Sequence, residues 1–522
     1  MRRNIPLLAL PLVVITALLP LAPAGAAGGA TAGGATITWT ACPEDPTAEC
    51  GTLAVPIDRA DPGGSTVEVA LARRKATDPA ARIGSLLINP GGPGGSGVDF
   101  AIYGKGYFSQ EITRRFDIVG FDPRGVARSH PIVCSTDLLG QAPSPIMKSQ
   151  ADFDGWLAYN RRLRDDCRAR TGPLYDHADT LSVVRDLDAI RAALGEDKLS
   201  YYGVSYGTLI GQQYAETFPR RVRALALDSN MDHSVGTGEF LDTQATAAQD
   251  SFDEFVAWCD RDDGCALHGK DVRAFWAGLR ARAERGELHF PGEPDVPLTQ
   301  MDLLGLAFGS FYGPDWSALA EFLLAVDTGA GLPPGSPARS VRRDAEVTAF
   351  PAQIFCEDYL LPVRGYREYA AHLRRSARIA PDMRFGPPAA SLTALCLGQP
   401  APIPNPQHRL RVHGSAPLLM GNALHDPATG YDWAIGTARQ LGRQAVLLTY
   451  EGWGHGIYGR GECTTGAIDG YLVSLTLPAR GTRCPAVPPT ALRAQRQPWP
   501  RPSGPLPNVP GWTYGVPTAR TF

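Results

Sequence analysis

Six short apolar runs alternate with segments of helical periodicity, and this alternation constrains the fold more than any other feature of the sequence. Each run ends in a turn signal, as strands buried on both faces of a parallel sheet do. The intervening segment Thr180–Leu194 repeats apolar side chains at helical spacing. Strands that alternate with helices predict an α/β fold whose mostly parallel sheet is covered by helices. The predicted strands are Ser85–Ile88, Phe116–Phe121, Leu199–Tyr202, Val222–Leu227, Ala416–Met420 and Ala445–Tyr450.

The alternation stops between residues 231 and 410, where Arg- and Ala-rich segments of helical character replace the strands. We interpret this region as a large, mainly helical cap inserted over the carboxyl edge of the sheet. The body of the fold is then expected to comprise residues 27–230 and 411–485. Repeated prolines without periodicity at 486–522 predict an extended tail.

The N-terminus has the three-part pattern of a secretory signal peptide. Two arginines precede an apolar stretch, Ile5–Leu21, and a small-residue cleavage site follows at Ala24-Gly25-Ala26. A membrane anchor is the alternative, but prolines interrupt the apolar stretch, which is short for a membrane span. We therefore expect residues 1–26 to be removed and the mature protein to be secreted, without stable membrane insertion.

The composition narrows the class of protein. Of the 522 residues, 44% are hydrophobic and 20% are charged, which excludes a disordered or fibrous chain. The formal net charge is −3, so the strong basic excess typical of nucleic-acid binding is missing.

Ten cysteines, an even number in an exported chain, indicate disulfides. A metal site is the weaker alternative, because the sequence has no C-x-x-C pair and no histidine at zinc-finger spacing from a cysteine pair. Connectivity does not follow from sequence, but we expect neighbours along the chain to pair. The expected pairs are Cys42–Cys50, Cys134–Cys167, Cys259–Cys265, Cys356–Cys396 and Cys463–Cys484.

The pentapeptide G-V-S-Y-G at 203–207 follows the strand Leu199–Tyr202 and precedes a helix-compatible stretch that starts at Thr208. A strand-to-helix turn this tight requires glycine at the flanking positions and leaves the serine oxygen exposed above the sheet. An ordinary tight turn is the alternative, and the strand–turn–helix context favours the functional interpretation. We predict Ser205 as a nucleophile.

A glycine-rich stretch, N-P-G-G-P-G-G-S-G at 89–97, directly follows the strand Ser85–Ile88. Backbone without side chains can approach a substrate closely and point N–H groups at it, so we predict an oxyanion hole completed by the N–H of Tyr206. A phosphate-binding loop is disfavoured, because the stretch lacks both a Gly-Lys-Ser/Thr ending and G-x-G-x-x-G spacing before a helix. A flexible linker is unexpected between two core strands.

A nucleophilic serine needs a base, and the base needs an orienting carboxylate. In this architecture the three follow in the order Ser, Asp, His. Asp426 and His455 each lie just past a predicted strand, where catalytic groups of open α/β sheets collect. His425 adjoins the predicted acid and cannot easily face it, and Asp432 is the alternative acid. We predict a triad of Ser205, Asp426 and His455 that needs no metal or organic cofactor.

These motifs together resemble the secreted tripeptidyl aminopeptidases of actinomycetes, which belong to the prolyl-aminopeptidase-related serine peptidases and carry a TAP-like C-terminal domain. The resemblance runs from about Trp39 to Cys484. It rests on N-P-G-G-P-G-G-S-G, F-D-P-R-G-V-A-R-S, G-V-S-Y-G-T, the loop of Asp426, and G-H-G, in that order.

The resemblance implies an α/β-hydrolase fold and the same three catalytic residues. It also implies Gly92 and Tyr206 as the oxyanion donors, and the pairing of neighbouring cysteines. Gly430 follows Thr429 where the family has proline, which predicts a looser loop, and Ala127-Arg128-Ser129 replaces G-R-S. Similar sequences also act as carboxylesterases, so the resemblance leaves the scissile bond open.

Two adjacent carboxylates, Glu357 and Asp358, lie in the predicted cap beside Cys356. An exopeptidase that acts on free N-termini must recognise an ammonium group, and a partly desolvated carboxylate is its natural partner. A solvated acidic surface pair is the alternative. Because a similar cysteine-plus-acid segment occurs in the family, we predict that this pair binds the substrate amino terminus.

The sequence therefore predicts a secreted serine hydrolase, an aminopeptidase that releases short peptides from free N-termini. A carboxylesterase with the same triad is the nearest alternative, and a catalytically silent binding protein on a hydrolase scaffold is the other. The expected partners are peptide substrates or small esters, and the oligomeric state does not follow from the sequence.

Overall fold

The computed structural model describes residues 36–330 and 346–489. The predicted signal peptide at 1–26 and most of the predicted tail lie outside these ranges. In the part of the chain that is described, no helix is both long and apolar enough to cross a membrane.

The strands are β1 (Thr40–Ala41), β2 (Glu49–Pro56), β3 (Thr66–Arg74), β4 (Gly84–Asn89), β5 (Phe116–Phe121), β6 (Val133–Ser135), β7 (Leu199–Val204), β8 (Val222–Asp228), β9 (His289–Phe290), β10 (Glu293–Pro297), β11 (Val347–Ala349), β12 (Leu418–His425), β13 (Ala445–Trp453) and β14 (Arg483–Cys484).

The helices are α1 (Gly97–Tyr103), α2 (Gln110–Arg115), α3 (Thr136–Leu139), α4 (Gln150–Thr171), α5 (Thr180–Ala193), α6 (Tyr206–Thr217), α7 (Thr237–Arg261), α8 (Val272–Glu284), α9 (Gln300–Tyr312), α10 (Trp316–Thr328), α11 (Phe355–Asp358), α12 (Tyr366–Ile379), α13 (Pro387–Leu395), α14 (Tyr431–Leu441) and α15 (Glu462–Ser474).

The central sheet has the order β1-β2-β3-β5-β4-β7-β8-β12-β13-β14 in the described ranges. Strands β1, β2 and β3 are antiparallel to their neighbours, and from β5 to β14 every neighbouring pair is parallel. All six predicted strands are present as β4, β5, β7, β8, β12 and β13, and the predicted helix is α5. The α/β-hydrolase fold class is confirmed.

The core lies on both faces of this sheet. Along β4, Leu86 and Ile88 join one buried apolar cluster, whereas Leu87 joins the cluster on the other face. Successive side chains of a strand point to opposite faces, so a strand covered on both sides must be apolar at every position. This requirement explains the uninterrupted apolar runs in the sequence.

The region between β8 and β12 is mainly helical and has a third apolar cluster of its own. That cluster also contains Phe153 and Trp156 of α4, from a segment before β7. Asn160 on α4 donates hydrogen bonds to the carbonyls of Ala394 and Leu397, and β6 pairs with β11. We propose that the cap is built from two segments, 126–178 and 231–410.

The five expected disulfides are all present: Cys42–Cys50, Cys134–Cys167, Cys259–Cys265, Cys356–Cys396 and Cys463–Cys484. The bridge Cys356–Cys396 joins α11 to the end of α13 and so fixes the segment that carries the acidic pair.

Peptide mapping of the mature protein without reductant should recover these five pairs. Replacing both cysteines of Cys356–Cys396, which lie 40 positions apart, by serine should cost about 2–5 kcal/mol of stability. Removal of Cys259–Cys265, with a separation of only 6, is the matched control and should cost less, because it closes a smaller loop. Equal losses of Tm from the two removals would contradict the loop-closure explanation.

The pH dependence of stability should also reflect His233, which is buried between Gln213 of α6 and Asp358 of α11. Its Nε2 donates to the carbonyl of Asp358, and its Nδ1 accepts from the amide of Gln213 at 3.1 Å. Burial lowers the pKa of His233 to about 4, so the unfolded chain takes up this proton at higher pH than the folded protein does. The contribution of the neutral His233 to the free energy of unfolding is therefore present above about pH 6.5 and is lost as the pH falls towards about 4.

The free energy of unfolding should fall by on the order of 3 kcal/mol across this pH range, and the fall should be visible as a lower Tm. His233→Gln should flatten the Tm–pH curve, whereas His413→Gln, at an exposed position, should leave its slope unchanged. An unaltered slope in His233→Gln would show that other groups determine the acid sensitivity.

Candidate active site

Ser205 occupies the sharp turn between β7 and α6. Its backbone adopts φ 58° and ψ −124°, a region that non-glycine residues rarely enter. A Cβ at Gly203 would lie 2.5 Å from the carbonyl oxygen of Gly207, and a Cβ at Gly207 would lie 2.8 Å from the carbonyl oxygen of Asn89. The turn can form only because both flanking residues are glycine.

The glycine-rich loop after β4 packs directly on this turn. A Cβ at Gly91 would lie 2.3 Å from the carbonyl oxygen of Val204 and 2.8 Å from the amide nitrogen of Tyr206. The side-chain oxygen of Asn89 accepts a hydrogen bond from the N–H of Gly91 at 2.9 Å, and Gly92 has φ 122°. The loop backbone thus comes within contact distance of the residues on both sides of Ser205, as an oxyanion hole requires.

His455 and Asp426 face one another in the buried interior. Nδ1 of His455 lies 3.0 Å from both carboxylate oxygens of Asp426, and the two side chains are 2% and 0% exposed. Gly456, next to the histidine, approaches the strand residue Val204, whose Cγ1 would lie 4.0 Å from a Cβ at Gly456. His455 and Asp426 are therefore paired, and the residue after His455 lies close to the strand that leads to Ser205.

Asp426 keeps its charge although it is buried. Burial alone would raise its pKa, but His455 opposite, the hydroxyl of Ser229 and the N–H of Thr429 together hold the pKa of Asp426 below its usual value. The N–H groups of Ala428 and Thr429 each donate to Oδ1 at 2.9 Å, and the Thr429 hydroxyl donates to Oδ2 at 3.0 Å. A fully hydrogen-bonded carboxylate of this kind can fix and stabilise a histidine as it takes up a proton.

The expected looser loop after Asp426 is not seen. Thr429 closes a tight turn onto Asp426, so the turn does not depend on the proline of the family. A Cβ at Gly430 would lie 3.1 Å from Cβ of Ala247 on α7, and Gln244 of the same helix donates to the carbonyl of Ala428. Glycine at 430 therefore allows the cap helix to approach the loop closely.

The cap also contacts His455 itself. The carbonyl of Tyr312, the last residue of α9, accepts the His455 N–H at 2.9 Å, and the two rings lie edge to face at 5.1 Å. The guanidinium of Arg460 donates to the carbonyls of Tyr312 and His455 at 3.1 and 3.3 Å. His455 is thus held both by the end of α9 and by Arg460 in its own loop.

The two alternative site residues lie elsewhere. Nδ1 of His425 pairs with Asp250 on α7 at 2.9 Å, and its ring stacks on Trp453. Asp432 is exposed in the first turn of α14. Neither His425 nor Asp432 takes part in the pairing of His455 with Asp426.

Glu357 and Asp358 are buried, at 3% and 0% exposure, and are not a solvated surface pair. The carboxylate of Asp358 accepts from the N–H and hydroxyl of Thr180, the amide of Asn405, and the hydroxyl of Tyr206. These four donors match the roughly four lone-pair positions of a carboxylate. Asp358 is therefore satisfied by the protein and supports the residue that follows the nucleophile.

Glu357 has a different environment. One of its oxygens accepts the N–H of Ala178 at 3.1 Å. Burial, with the charges of Asp179 and Asp358 nearby, raises the pKa of Glu357 well above its usual value. The segment that carries the pair also reaches the glycine loop, because a Cβ at Gly94 would lie 2.3 Å from the ring of Pro351.

Sequence reasoning missed several side chains around Asp426 and His455. Thr429 could have been found, because a Thr three residues after an Asp is a common turn pattern. Ser229 had a weaker signal, since it lies two residues past the predicted strand Val222–Leu227. Tyr312 and Arg460 had none, because their contacts depend on how the cap folds onto the body.

Comparisons with known proteins identify the family of this chain. The family described as alpha/beta hydrolase fold matches residues 84–312, and the family described as TAP-like protein matches residues 381–484. The chain is 32% identical to serine protease Hip1 of Mycobacterium tuberculosis over 86% of this chain and 91% of that protein. It is 33% identical to carboxylesterase B of Mycobacterium tuberculosis, over 86% and 89% of the two chains.

The chain is also 31% identical to the tripeptidyl aminopeptidase of Streptomyces lividans, over 88% of each protein. The two family matches contain Ser205, Asp426 and His455. The chain therefore belongs to the serine hydrolases of the α/β-hydrolase fold that carry a TAP-like C-terminal domain.

Proposed function

We propose that this protein is a secreted aminopeptidase that releases short peptides from the free N-termini of its substrates. The pairing of His455 with a charged, buried Asp426 beside the strained turn of Ser205 is the observation that carries the proposal. A strained backbone at a serine costs stability, and it persists where the surrounding structure enforces it, as at catalytic turns.

Ser205 attacks the scissile carbonyl while His455 Nε2 takes its proton, because Nδ1 is engaged by Asp426. The N–H groups of Gly92 and Tyr206 stabilise the oxyanion that forms. The imidazolium then returns the proton to the leaving amine, and an acyl-enzyme remains on Ser205. Water, deprotonated by His455, hydrolyses the acyl-enzyme and restores the serine.

The proposal also states that the substrate is a peptide and not an ester. Serine protease Hip1 and the tripeptidyl aminopeptidase support a peptidase, whereas carboxylesterase B supports an esterase as the second candidate. The segment 351–358 favours the peptidase, because it contacts both the glycine loop and Tyr206 and brings a second, less fully bonded carboxylate, Glu357, to this region. We assign Glu357 to the substrate ammonium group and Asp358 to the support of Tyr206.

Secretion is supported by the five disulfides, which persist in oxidising compartments. The predicted signal peptide lies outside the described residues, so N-terminal sequencing of the exported protein is the direct test. A mature N-terminus near residue 27 is the expected result.

Ser205→Ala should reduce kcat by several orders of magnitude, because members of a triad act as a unit. A fluorophosphonate probe should label the wild type at Ser205 and should not label the variant. Ser474→Ala, at an exposed position, is the matched control and should retain full activity. An active Ser205→Ala enzyme would show that another residue is the nucleophile, and an unlabelled, folded wild type would favour the silent scaffold.

Substitution of the acidic pair should separate the peptidase from the esterase. Glu357→Gln should lower kcat/KM for free-amine peptides about 10- to 100-fold, the worth of a charge-assisted hydrogen bond, and should spare N-acetylated peptides and simple esters. Asp358→Asn should lower kcat/KM for all substrate classes alike, because its contacts hold the backbone beside the oxyanion hole.

Steady-state kinetics on the three substrate classes provide the measurement. Equal activity of the wild type on free and acetylated peptides would exclude an aminopeptidase. If Glu357→Gln reduced all classes equally, Glu357 would be a structural group of the cap.

A further inference from the structure

Two consecutive residues at the end of β8, Asp228 and Ser229, contact the segments of all three triad residues. The carbonyl of Asp228 accepts the N–H of Ser205 at 2.9 Å. Its carboxylate accepts the N–H of Ile457 at 2.8 Å and that of Tyr458 at 3.0 Å, both just beyond His455. Asp228 thus joins the backbone of the nucleophile to the loop of the base.

Ser229, the next residue, also contacts the loop that follows His455. Its Oγ accepts the N–H of Gly456, the residue after the base, at 2.7 Å. The hydroxyl of Ser229 is also one of the groups that hold the pKa of Asp426 below its usual value. The N–H of Ser229 donates to the carbonyl of Gly421 in β12, the strand that leads to Asp426.

The backbone of Ser229 is a second reason to assign it a role. Ser229 is fully buried and has φ 62°, a conformation that glycine adopts freely and other residues adopt at a cost. Glycine at this position would relieve that cost, so the serine side chain must contribute something that outweighs it. The hydrogen bond that its Oγ accepts from the N–H of Gly456, in the loop of the base, is the contribution that the structure offers.

We propose that Ser229 is a positioning residue of the catalytic site, which sets His455 and Asp426 in register. Its hydroxyl holds the loop of His455, and its N–H holds the strand that leads to Asp426. The inference rests on the proposed triad and adds a fourth side chain to it. Asp228 holds the next two N–H groups of the same loop, so the dipeptide fixes three consecutive N–H groups after His455.

Ser229→Gly tests the inference without adding backbone strain. We expect kcat to fall about 3- to 10-fold with KM little changed, because one hydrogen bond that positions the loop of the base is lost. Ser229→Ala should show the same loss of kcat but a lower Tm than Ser229→Gly, because alanine remains strained at positive φ.

The pH profile gives a readout that a merely structural residue would not alter. Without the hydroxyl, the N–H of Gly456 loses its acceptor and His455 can shift relative to the carboxylate of Asp426. The acid limb of the kcat/KM profile should therefore move. The other titratable groups that face this pair are Asp228, Tyr312 and Arg460, and all three remain in the variant.

Ser251→Ala is the matched control, since Ser251 is buried on α7 and its hydroxyl has no hydrogen-bond partner among the described residues. It should leave both kcat and the acid limb unchanged. A Ser229→Gly enzyme with wild-type kcat and an unmoved acid limb would overturn the inference. Fluorophosphonate labelling of the wild type separates this failure from that of the triad itself, because only a wrong triad leaves Ser205 unlabelled.

Discussion

The paired burial of Asp426 and His455 sets the requirements that the surrounding structure must meet. A carboxylate without water is stable as an ion only when hydrogen-bond donors replace its hydration. These donors come from the turn at Thr429, from Ser229 at the end of β8, and from the ring of His455 itself. Because these groups lie on different strand ends, the site exists only when β8, β12 and β13 are aligned in parallel.

The positions of Ser205, Asp426 and His455 could be predicted from the sequence, because each depends on a local pattern at the end of a strand. The turn at Ser205 requires two glycines that no other residue could replace. Its strand–turn–helix context could be recognised from the sequence alone. The chain order of Asp426 and His455 was sufficient to place them at neighbouring strand ends. Contacts such as His455 with Tyr312 could not be predicted, since they join positions 143 residues apart through the packing of the cap, which leaves no periodic signal.

The acidic pair in the cap shows how adjacent residues with the same charge can have different roles. Asp358 lies among four neutral donors and contacts Tyr206, whereas the carboxylate of Glu357 accepts the N–H of Ala178, and burial raises the pKa of both residues. Hydrogen bonding therefore distinguishes the two carboxylates, and the donors around one residue of a short helix cannot be read from the sequence. Differences at this segment would let closely similar hydrolases act on different bonds while they keep the same triad.

The hydrogen bond from the His455 N–H to the carbonyl of Tyr312 bears on how such enzymes diversify. A lid that only covered the site could be exchanged between relatives without harm to the chemistry. Here the end of α9 holds the backbone of the base, so a transplanted lid must also offer a carbonyl at that point. Recombination among these enzymes is therefore constrained: cap and body must be inherited together, or the new cap must restore this one contact.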